Sequence, residues 1–302
     1  MEKVYDLIII GAGPGGISAA IYAKRAMLDF LFLEKWLPGG EIANTYEVEN
    51  YPGLNNVSGA ELADKFVEHA KELGVEIQME SVDRVDFKNE IKKVVTDRGT
   101  YLSKTVIIAT GASARKVGVP GEEELSGRGV SYCAVCDGAL FRGKTVAVVG
   151  GGDVAVEDAI YLSRLAKKVY IIHRRDQLRA AKRYQEKMFE LANVEPIWDS
   201  VVTKFNGDEF LKSVTVKNVK TNELKDLELD GVFVAIGMDP NIDFLGNELE
   251  LTEGNWIKTD AMLETSSPGV FAVGDVRNTP LRQIVTSVAD GALALTALQK
   301  YL

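Results

Sequence analysis

The two cysteines of this chain lie in the sequence Cys133-Ala134-Val135-Cys136, and Asp137 follows them directly. A C-x-x-C pair can close a small disulfide that takes up and releases two electrons. A carboxylate beside the pair can supply or accept the accompanying proton, so Asp137 is our candidate general acid/base. The pattern indicates thiol–disulfide redox chemistry.

Other uses of the cysteine pair stay open at this point. A structural zinc ion needs four ligands, and His69 and His173 are the only histidines, so the ion would have to be shared between two copies. The cysteines can also be inert core residues, and Asp137 a plain turn or helix-cap residue. A dinucleotide-binding signature directly after the pair favours the redox interpretation.

A first glycine fingerprint, G-x-G-x-x-G, follows the apolar run Leu7–Ile10 and precedes a predicted helix. Its glycines allow a tight turn, close approach of a pyrophosphate, and tight helix–strand packing. Glu34 ends the next predicted strand, where a carboxylate can accept hydrogen bonds from ribose hydroxyls. The predicted cofactor-binding residues of this fingerprint are Gly11, Gly13, Pro14 and Gly16.

A second fingerprint, G-x-G-x-x-A, predicts another dinucleotide site with Gly150, Gly152, Asp153 and Ala155. Glu34 follows Gly11 by 23 residues, and His173 follows Gly150 by the same 23. The acidic position of the first site is therefore replaced by a basic cluster in the second, namely His173, Arg174, Arg175 and Arg179. Guanidinium groups bind a 2′-phosphate that a carboxylate would repel. Unless the cluster is merely a solvated basic surface, the second site favours NADPH.

The first site then requires a different dinucleotide, and FAD is our prediction. Gly274 and Asp275 follow an apolar strand, so the Asp275 carboxylate is expected near the ribityl and phosphate region of the flavin.

Alternating β and α segments predict an α/β fold with largely parallel sheets. The segment order after Gly150 repeats that after Gly11, which indicates two Rossmann-like three-layer dinucleotide-binding domains, the second inserted in the first. We predict a discontinuous FAD-binding domain, 1–116 and 244–302, and an NADPH-binding domain, 117–243, that carries the C-x-x-C pair.

Composition narrows the function classes. Of 302 residues, 46% are hydrophobic and 26% charged, and the net charge is −9, which argues against nucleic acid as the main partner. No apolar run reaches the roughly 18 residues that span a bilayer. The start, Met1–Asp6, lacks a basic region and cleavage site, so we expect a cytoplasmic protein without a membrane partner.

Together these motifs resemble the low-molecular-weight thioredoxin reductases over nearly the whole length. The segments that carry the resemblance, beyond Cys133–Gly138 and the two fingerprints, are Glu49-Asn50-Tyr51-Pro52-Gly53, Ala109-Thr110-Gly111-Ala112, His173-Arg174-Arg175 with Arg179, Gly274-Asp275 and Arg282-Gln283. Each segment alone is a modest signal, whereas their order and spacing together are specific.

The resemblance implies a homodimer that passes electrons from NADPH through FAD and a Cys133–Cys136 disulfide to thioredoxin, with domain rotation between the half-reactions. It implies that Cys136 faces the flavin and that Cys133 attacks thioredoxin. It also extends the flavin-site residues to Glu41, Asn50, Thr110, Gly111, Arg282 and Gln283. Glu41 departs from the family pattern, where glutamine is usual, and predicts a lowered flavin potential if its carboxylate is ionised.

Three alternatives remain. A ferredoxin-dependent flavin thioredoxin reductase would not need the three arginines. A ferredoxin–NADP oxidoreductase would not need the cysteines. A nucleotide-sensing module without turnover would need neither an intact C-x-x-C pair nor Asp137.

Overall fold

The computed structural model describes residues 3–45, 48, 50–54 and 57–302 and divides into two compact units. Unit 1 comprises Met1–Thr45, Tyr51–Ser113 and Asp239–Leu302, and unit 2 comprises Tyr46–Asn50 and Ala114–Met238. The long segments therefore separate at 113/114 and 238/239, three and five residues before the predicted domain boundaries. Which cofactor each unit binds stays a prediction.

The elements from the start of the chain to the boundary at 113/114 are, in order, β1 (Val4–Ile10), α1 (Pro14–Arg25), β2 (Phe30–Glu34), α2 (Gly59–Glu72), β3 (Gln78–Met79), β4 (Val82–Asp86), β5 (Lys92–Thr96), β6 (Thr100–Ile108) and β7 (Ala112–Ala114). Those that follow, to the boundary at 238/239, are β8 (Val130–Ser131), α3 (Ala134–Asp137), β9 (Thr145–Gly150), α4 (Asp153–Ser163), β10 (Lys168–Ile172), α5 (Lys182–Phe189), β11 (Val194–Ile197), β12 (Ser200–Gly207), β13 (Leu211–Asn218), β14 (Leu224–Glu228), β15 (Gly231–Ala235) and β16 (Met238–Pro240). Unit 1 is completed by β17 (Val270–Ala272) and α6 (Ile284–Ala297).

The main sheet of unit 1 is parallel in the order β3-β2-β1-β6. Two further strands, β5 and β17, share the other edge of β6. The first half of β6 pairs with β5, which continues antiparallel into β4, and its second half pairs with β17. Strand residues alternate between two cores, as the two-residue period of a strand requires. Leu7 and Ile9 pack with helices α1 and α6, whereas Ile8 and Ile10 pack with the β4–β5 hairpin.

Unit 2 repeats this plan with a parallel sheet in the order β11-β10-β9-β15-β8. Val146 and Val148 face α4 and α5, whereas Ala147 and Val149 face the antiparallel sheet β12-β13-β14. Each unit thus has helices on one face of a parallel sheet and antiparallel strands on the other. The predicted α/β class with two Rossmann-like units is confirmed.

Both sheets place a glycine loop where the strand order reverses. β1 lies between β2 and β6, and β9 lies between β10 and β15. The loops that follow β1 and β9 therefore open at the carboxyl edge of a topological switch point, where ligands of such sheets bind. Among the described residues, no helix combines the length and the apolar character that crossing a bilayer requires.

Candidate active site

The predicted cysteine pair forms a disulfide in unit 2, with 5.3 Å between the Cα atoms of Cys133 and Cys136. Cys133 precedes the short helix α3 and Cys136 lies within it, so the turn brings the two sulfurs together. The backbone N–H of Cys136 donates to Cys133 Sγ at 3.2 Å. Both cysteines are half-buried, and Val135 between them is exposed.

Asp137, the predicted acid/base, is held by a residue that sequence reasoning missed. Ser131 Oγ donates to Asp137 Oδ2 at 2.6 Å and accepts from the Cys133 N–H at 3.1 Å. Burial raises the pKa of Asp137, and the Ser131 hydrogen bond opposes that rise. A serine two residues before a cysteine is a weak sequence signal, because its hydroxyl can equally face solvent.

The second fingerprint forms the loop between β9 and α4. Gly152 is the N-cap of α4 and has no side-chain cap, and an added Cβ there would meet no atom within 4 Å. Asp153 Oδ1 accepts from the Ala181 N–H at 2.7 Å, and Gly151 O accepts from the Arg179 N–H at 2.7 Å. These bonds bring the loop after β10 to the fingerprint and leave open space at Gly152.

Gly150 and Ala155 complete the fingerprint where strand and helix pack closely. A Cβ on Gly150 would lie 2.4 Å from Ala235 O and 2.7 Å from the Cβ of Ala155. Both residues are buried. Their small size therefore lets α4 start directly against the neighbouring strand β15.

The four predicted basic residues separate into one buried and three exposed side chains. His173 is buried, and its ring lies 2.3 Å from where a Cβ on Gly151 would be. Burial is the largest cause that lowers the pKa of His173, followed by the charge of Arg179. Arg174, Arg175 and Arg179 are exposed and form no salt bridge within the part of the chain that the structure describes.

The first fingerprint occupies the equivalent loop of unit 1. A Cβ on Gly16 would lie 1.8 Å from Gly11 O, so only glycine allows α1 to start against β1. Gly11 has a φ of 101°, which glycine adopts readily. Gly13 is the N-cap of α1 without a side-chain cap, Pro14 follows it, and the atom nearest to a Cβ on Gly13 is 4.0 Å away.

Glu34 lies beside this loop, at the end of β2. Its Oε2 accepts from the Ala12 N–H at 2.6 Å, and its Oε1 accepts from the Trp36 N–H at 2.8 Å. The carboxylate therefore orders the glycine loop. Its remaining lone pairs can still accept from ribose hydroxyls.

Thr110 and Gly111 are fixed by a residue that the sequence did not single out. Thr110 Oγ1 donates to Asn241 O at 2.7 Å, Asn241 Nδ2 donates to Thr110 O at 2.9 Å, and the Asn241 N–H donates to Gly111 O. These bonds join two segments of unit 1 that are 131 residues apart.

A buried ion pair supports the Gly274 loop. Asp290 accepts from Arg277 Nε at 2.7 Å and from an Arg277 terminal nitrogen at 2.9 Å, and it also accepts from the Gly274 N–H at 2.9 Å.

Arg282 lies over the Trp256 ring, with 3.7 Å from its guanidinium carbon to the ring centroid. Gln283 caps α6 through a reciprocal pair of bonds with Thr286.

Asp275 and Glu41 belong to the same electrostatic environment in unit 1. Burial raises the pKa of Asp275 to about 6, Arg282 lowers it, and the charge of Glu41 is one of the smaller causes that raise it. Asn50, by contrast, belongs to unit 2. Glu49, beside it in the sequence, lies outside the described residues.

A family model of pyridine nucleotide-disulphide oxidoreductases matches residues 5–291 of the chain. The chain belongs to this family. Thioredoxin reductase from Bacillus subtilis (strain 168) is 46% identical over 301 residues, covering 99% of this chain and 95% of that protein.

Solved structures give the same grouping. The crystal structure of thioredoxin reductase from Streptococcus pyogenes MGAS5005 is 48% identical, with a TM-score of 0.95 over 100% of this chain and 99% of that one. A ferredoxin-flavin thioredoxin reductase from Clostridium acetobutylicum is more distant, at 31% identity and a TM-score of 0.54, over 99% of each chain.

Family membership implies a flavin and a nicotinamide nucleotide, and the two glycine loops fit such groups. Gly13 and Gly152 both leave open space beside the start of a helix that no side chain caps. Unpaired N–H groups at such a helix start favour a pyrophosphate. Each unit of this member of the pyridine nucleotide-disulphide oxidoreductase family therefore offers one cradle of the required chemistry.

Proposed function

We propose that this chain is an NADPH-dependent thioredoxin-disulfide reductase. Electrons pass from NADPH through FAD and the Cys133–Cys136 disulfide to oxidised thioredoxin, and the two domains rotate between the half-reactions. The observation that carries the proposal is the disulfide itself. Asp137 follows it directly in unit 2, and Oδ1 of its carboxylate is buried. Full-length relatives named thioredoxin reductases support the choice of substrate.

The roles of the cysteines follow the resemblance and suit the local chemistry. The Cys136 N–H points at Cys133 Sγ, and such a donor stabilises a thiolate. In the reduced enzyme, Cys133 thiolate attacks a disulfide sulfur of thioredoxin, a mixed disulfide forms, and the leaving thiolate takes a proton from Asp137. Cys136 then attacks Cys133 Sγ, which restores the disulfide and releases the second thiolate of thioredoxin.

We assign FAD to unit 1 and NADPH to unit 2. When bound, the flavin supplies two-electron transfer between the nicotinamide and the disulfide. In unit 1 we propose Gly11, Gly13, Pro14, Gly16 and Glu34 for the adenine half, with the other predicted residues of that unit, Glu41, Thr110, Gly111, Gly274, Asp275, Arg282 and Gln283, nearer the flavin. Asn50, which groups with unit 2, stays a predicted flavin-site residue on the resemblance alone. In unit 2, Gly150, Gly152, Asp153 and Ala155 form the pyrophosphate loop.

The choice of NADPH rests on the three exposed arginines after β10. Arg174, Arg175 and Arg179 leave their donors available to a 2′-phosphate, whereas the equivalent position in unit 1 carries Glu34. His173 is proposed to support the loop through its packing on Gly151. We also propose a cytoplasmic homodimer, on the resemblance alone.

Anaerobic stopped-flow absorbance tests the function. We expect the flavin absorbance of the holoenzyme to fall rapidly with NADPH, slowly with NADH, and to return when oxidised thioredoxin is added. Cys136→Ser should retain the first step and lose the second, and Ser200→Ala, which alters a buried hydroxyl elsewhere in unit 2, should retain both.

The same experiment decides against the ferredoxin alternative. Reduction by ferredoxin but by neither nucleotide would show that the second glycine loop no longer serves as the donor site, and would overturn the NADPH assignment. Reduction of the flavin by NADPH without reoxidation by thioredoxin would show that thioredoxin is not the substrate of the disulfide, and would overturn that part of the proposal.

A further inference from the structure

Ser131 occupies a position that the reaction of the disulfide does not by itself explain. It lies at the end of β8, whose pairing with β15 joins Ser131 to Phe233, and its side chain is buried. Its hydroxyl faces residues 133–137, which contain the cysteine pair and Asp137, and forms no hydrogen bond within β8. A polar group buried at this point needs partners, and both of its strong hydrogen bonds go to the segment 133–137.

The hydrogen bonds around Ser131 Oγ have a fixed direction. The Cys133 N–H can only donate, so Oγ accepts there and its single proton is left for another oxygen. That proton points to Asp137 Oδ2 at 2.6 Å, since the alternative, Cys133 O, is 3.4 Å away. One hydroxyl thus links the backbone of the first cysteine to the carboxylate that follows the second.

The two oxygens of Asp137 are therefore unequal. Oδ2 accepts from Ser131, whereas Oδ1 is buried and has no hydrogen-bond partner among the described residues. An unpartnered buried carboxylate oxygen is costly and is the preferred place for a proton. Because Oδ2 already accepts the Ser131 hydrogen bond, the proton of Asp137 is expected on Oδ1.

We propose that Ser131 is a positioning residue of the redox site, which holds Oδ2 of Asp137 and leaves Oδ1 to carry the proton that the departing thioredoxin thiolate takes up. The inference rests on the proposed function and deepens it. When thioredoxin thiolate leaves, the proton passes from Oδ1 to that sulfur and Asp137 becomes a carboxylate. Ser131 then stabilises the charge by its O–H, without itself losing a proton.

Other groups packed near α3 do not stabilise the Asp137 carboxylate in the way that Ser131 does. Gly138, at the end of α3, lies against Tyr161, Leu162 and Leu165 around the end of α4, and α4 also carries Glu157 and Asp158. The pKa of Asp137 responds to burial and to Ser131, and neither these acids nor Tyr161 is among its causes. Removal of the Ser131 hydroxyl should therefore raise the pKa of Asp137 further.

The test follows the protonation of Asp137 in the oxidised holoenzyme by infrared difference spectroscopy against pH, with Asp137→Asn used to assign the carboxyl band. Ser131→Thr and Ser131→Val form a matched pair, because both suit a strand and only threonine keeps the hydroxyl. We expect Ser131→Val to shift the titration upward by about one pH unit, a tenfold change in the protonation equilibrium, and Ser131→Thr to retain the wild-type value.

Ser131→Ala provides a second variant without the hydroxyl, should Ser131→Val be too large to fold. Ser200→Ala, which removes a comparable buried hydroxyl, should leave the titration unchanged. Equal titrations in the wild type, Ser131→Val and Ser131→Ala would overturn the assignment. Since this measurement needs no thioredoxin, a shifted titration in a protein that fails to reduce thioredoxin would refute the proposed function and keep the role of Ser131.

Discussion

Neighbouring side chains at the start of the loop after β10 differ in burial, and this difference separates their roles. His173 is buried against Gly151, whereas Arg174 and Arg175 are exposed. A ring without access to solvent shapes the loop, and exposed guanidinium groups are free to bind an anion. Sequence spacing alone placed all of them in a single nucleotide-binding group.

Replacing Arg174 and Arg175 together by alanine should raise KM for NADPH by about tenfold or more and leave KM for NADH unchanged. The reason is the loss of charge-assisted hydrogen bonds to the 2′-phosphate, which NADH lacks. Steady-state kinetics with both nucleotides measure the effect, and Lys225→Ala, another exposed cation of unit 2, is the control. An equal rise for both nucleotides would contradict the 2′-phosphate role.

Asp158 on α4 should make stability depend on pH. Burial, followed by the charge of Glu157, raises the pKa of Asp158 to about 7. The folded state then holds the proton more tightly than the unfolded state, so stability falls as pH rises from about 4 to about 7. Asp158→Asn removes this cost and should increase the free energy of unfolding at pH 8 by up to about 4 kcal/mol.

Denaturant unfolding of Asp158→Asn and the wild type at pH 8 and pH 5 checks this prediction. The gain should be smaller at pH 5, where folded Asp158 is almost fully protonated and the pH lies only about one unit above the ordinary pKa of aspartate in the unfolded chain. Glu190→Gln, an exposed acid of the same unit, should change little at either pH. The same gain at both pH values would point to packing and not to titration.

At the scale of elements, the β1–α1 and β9–α4 loops share one construction. Each has a glycine N-cap without a side-chain cap, and each follows the central strand of its sheet. Gly16 and Gly152 are required for different reasons, the first for packing and the second for space beside the helix start. Gly16 protects the packing of the fold, because a Cβ would lie 1.8 Å from Gly11 O, whereas Gly152 leaves open space.

Gly152→Ala should therefore preserve stability to within about 0.5 kcal/mol and still weaken NADPH binding by about tenfold or more, because the methyl group would occupy the space beside the pyrophosphate. Gly16→Ala should instead destabilise the protein, since the loop backbone has to move. Thermal unfolding of the nucleotide-free proteins and NADPH titration calorimetry separate the two effects. Unchanged NADPH affinity in Gly152→Ala would show that the nucleotide does not lie over this glycine.

At the scale of the whole molecule, unit 2 contains complete cores of its own. Both of its buried clusters consist of residues between 117 and 235, one beneath the helices and one beneath the antiparallel sheet. Unit 1, by contrast, needs chain segments from before and after unit 2. A continuous fragment can therefore reproduce the core of unit 2 but not that of unit 1.

We expect the fragment 114–238 to fold alone, to unfold cooperatively, and to bind NADPH with an affinity similar to that of the whole chain. Circular dichroism melting and titration calorimetry measure these properties. The fragment with Arg174→Ala and Arg175→Ala should fold equally well and bind NADPH less tightly. A fragment that lacks a cooperative transition would show that the segments of unit 1 are required for its core.

The sequence by itself determined the parts of this protein whose physics is local. The C-x-x-C turn brings its own sulfurs together, and the glycine fingerprints specify strand, turn and helix over a few residues. Apolar runs such as Leu7–Ile10 indicate buried parallel strands, so the α/β class with one unit inserted in the other could be predicted. The helix α5 was not predicted, because its eight residues are mostly polar and bury mainly Met188.

Only the tertiary structure decided which side chains support these motifs. The bond from Ser131 to Asp137 depends on how β8 meets α3, and Asn241 reaches Thr110 across 131 residues of chain. The contact of Asp290 with Gly274 requires α6 to pack beside the loop after β17. A hydrogen bond depends on the direction of both groups as well as on their identity, and packing fixes that direction.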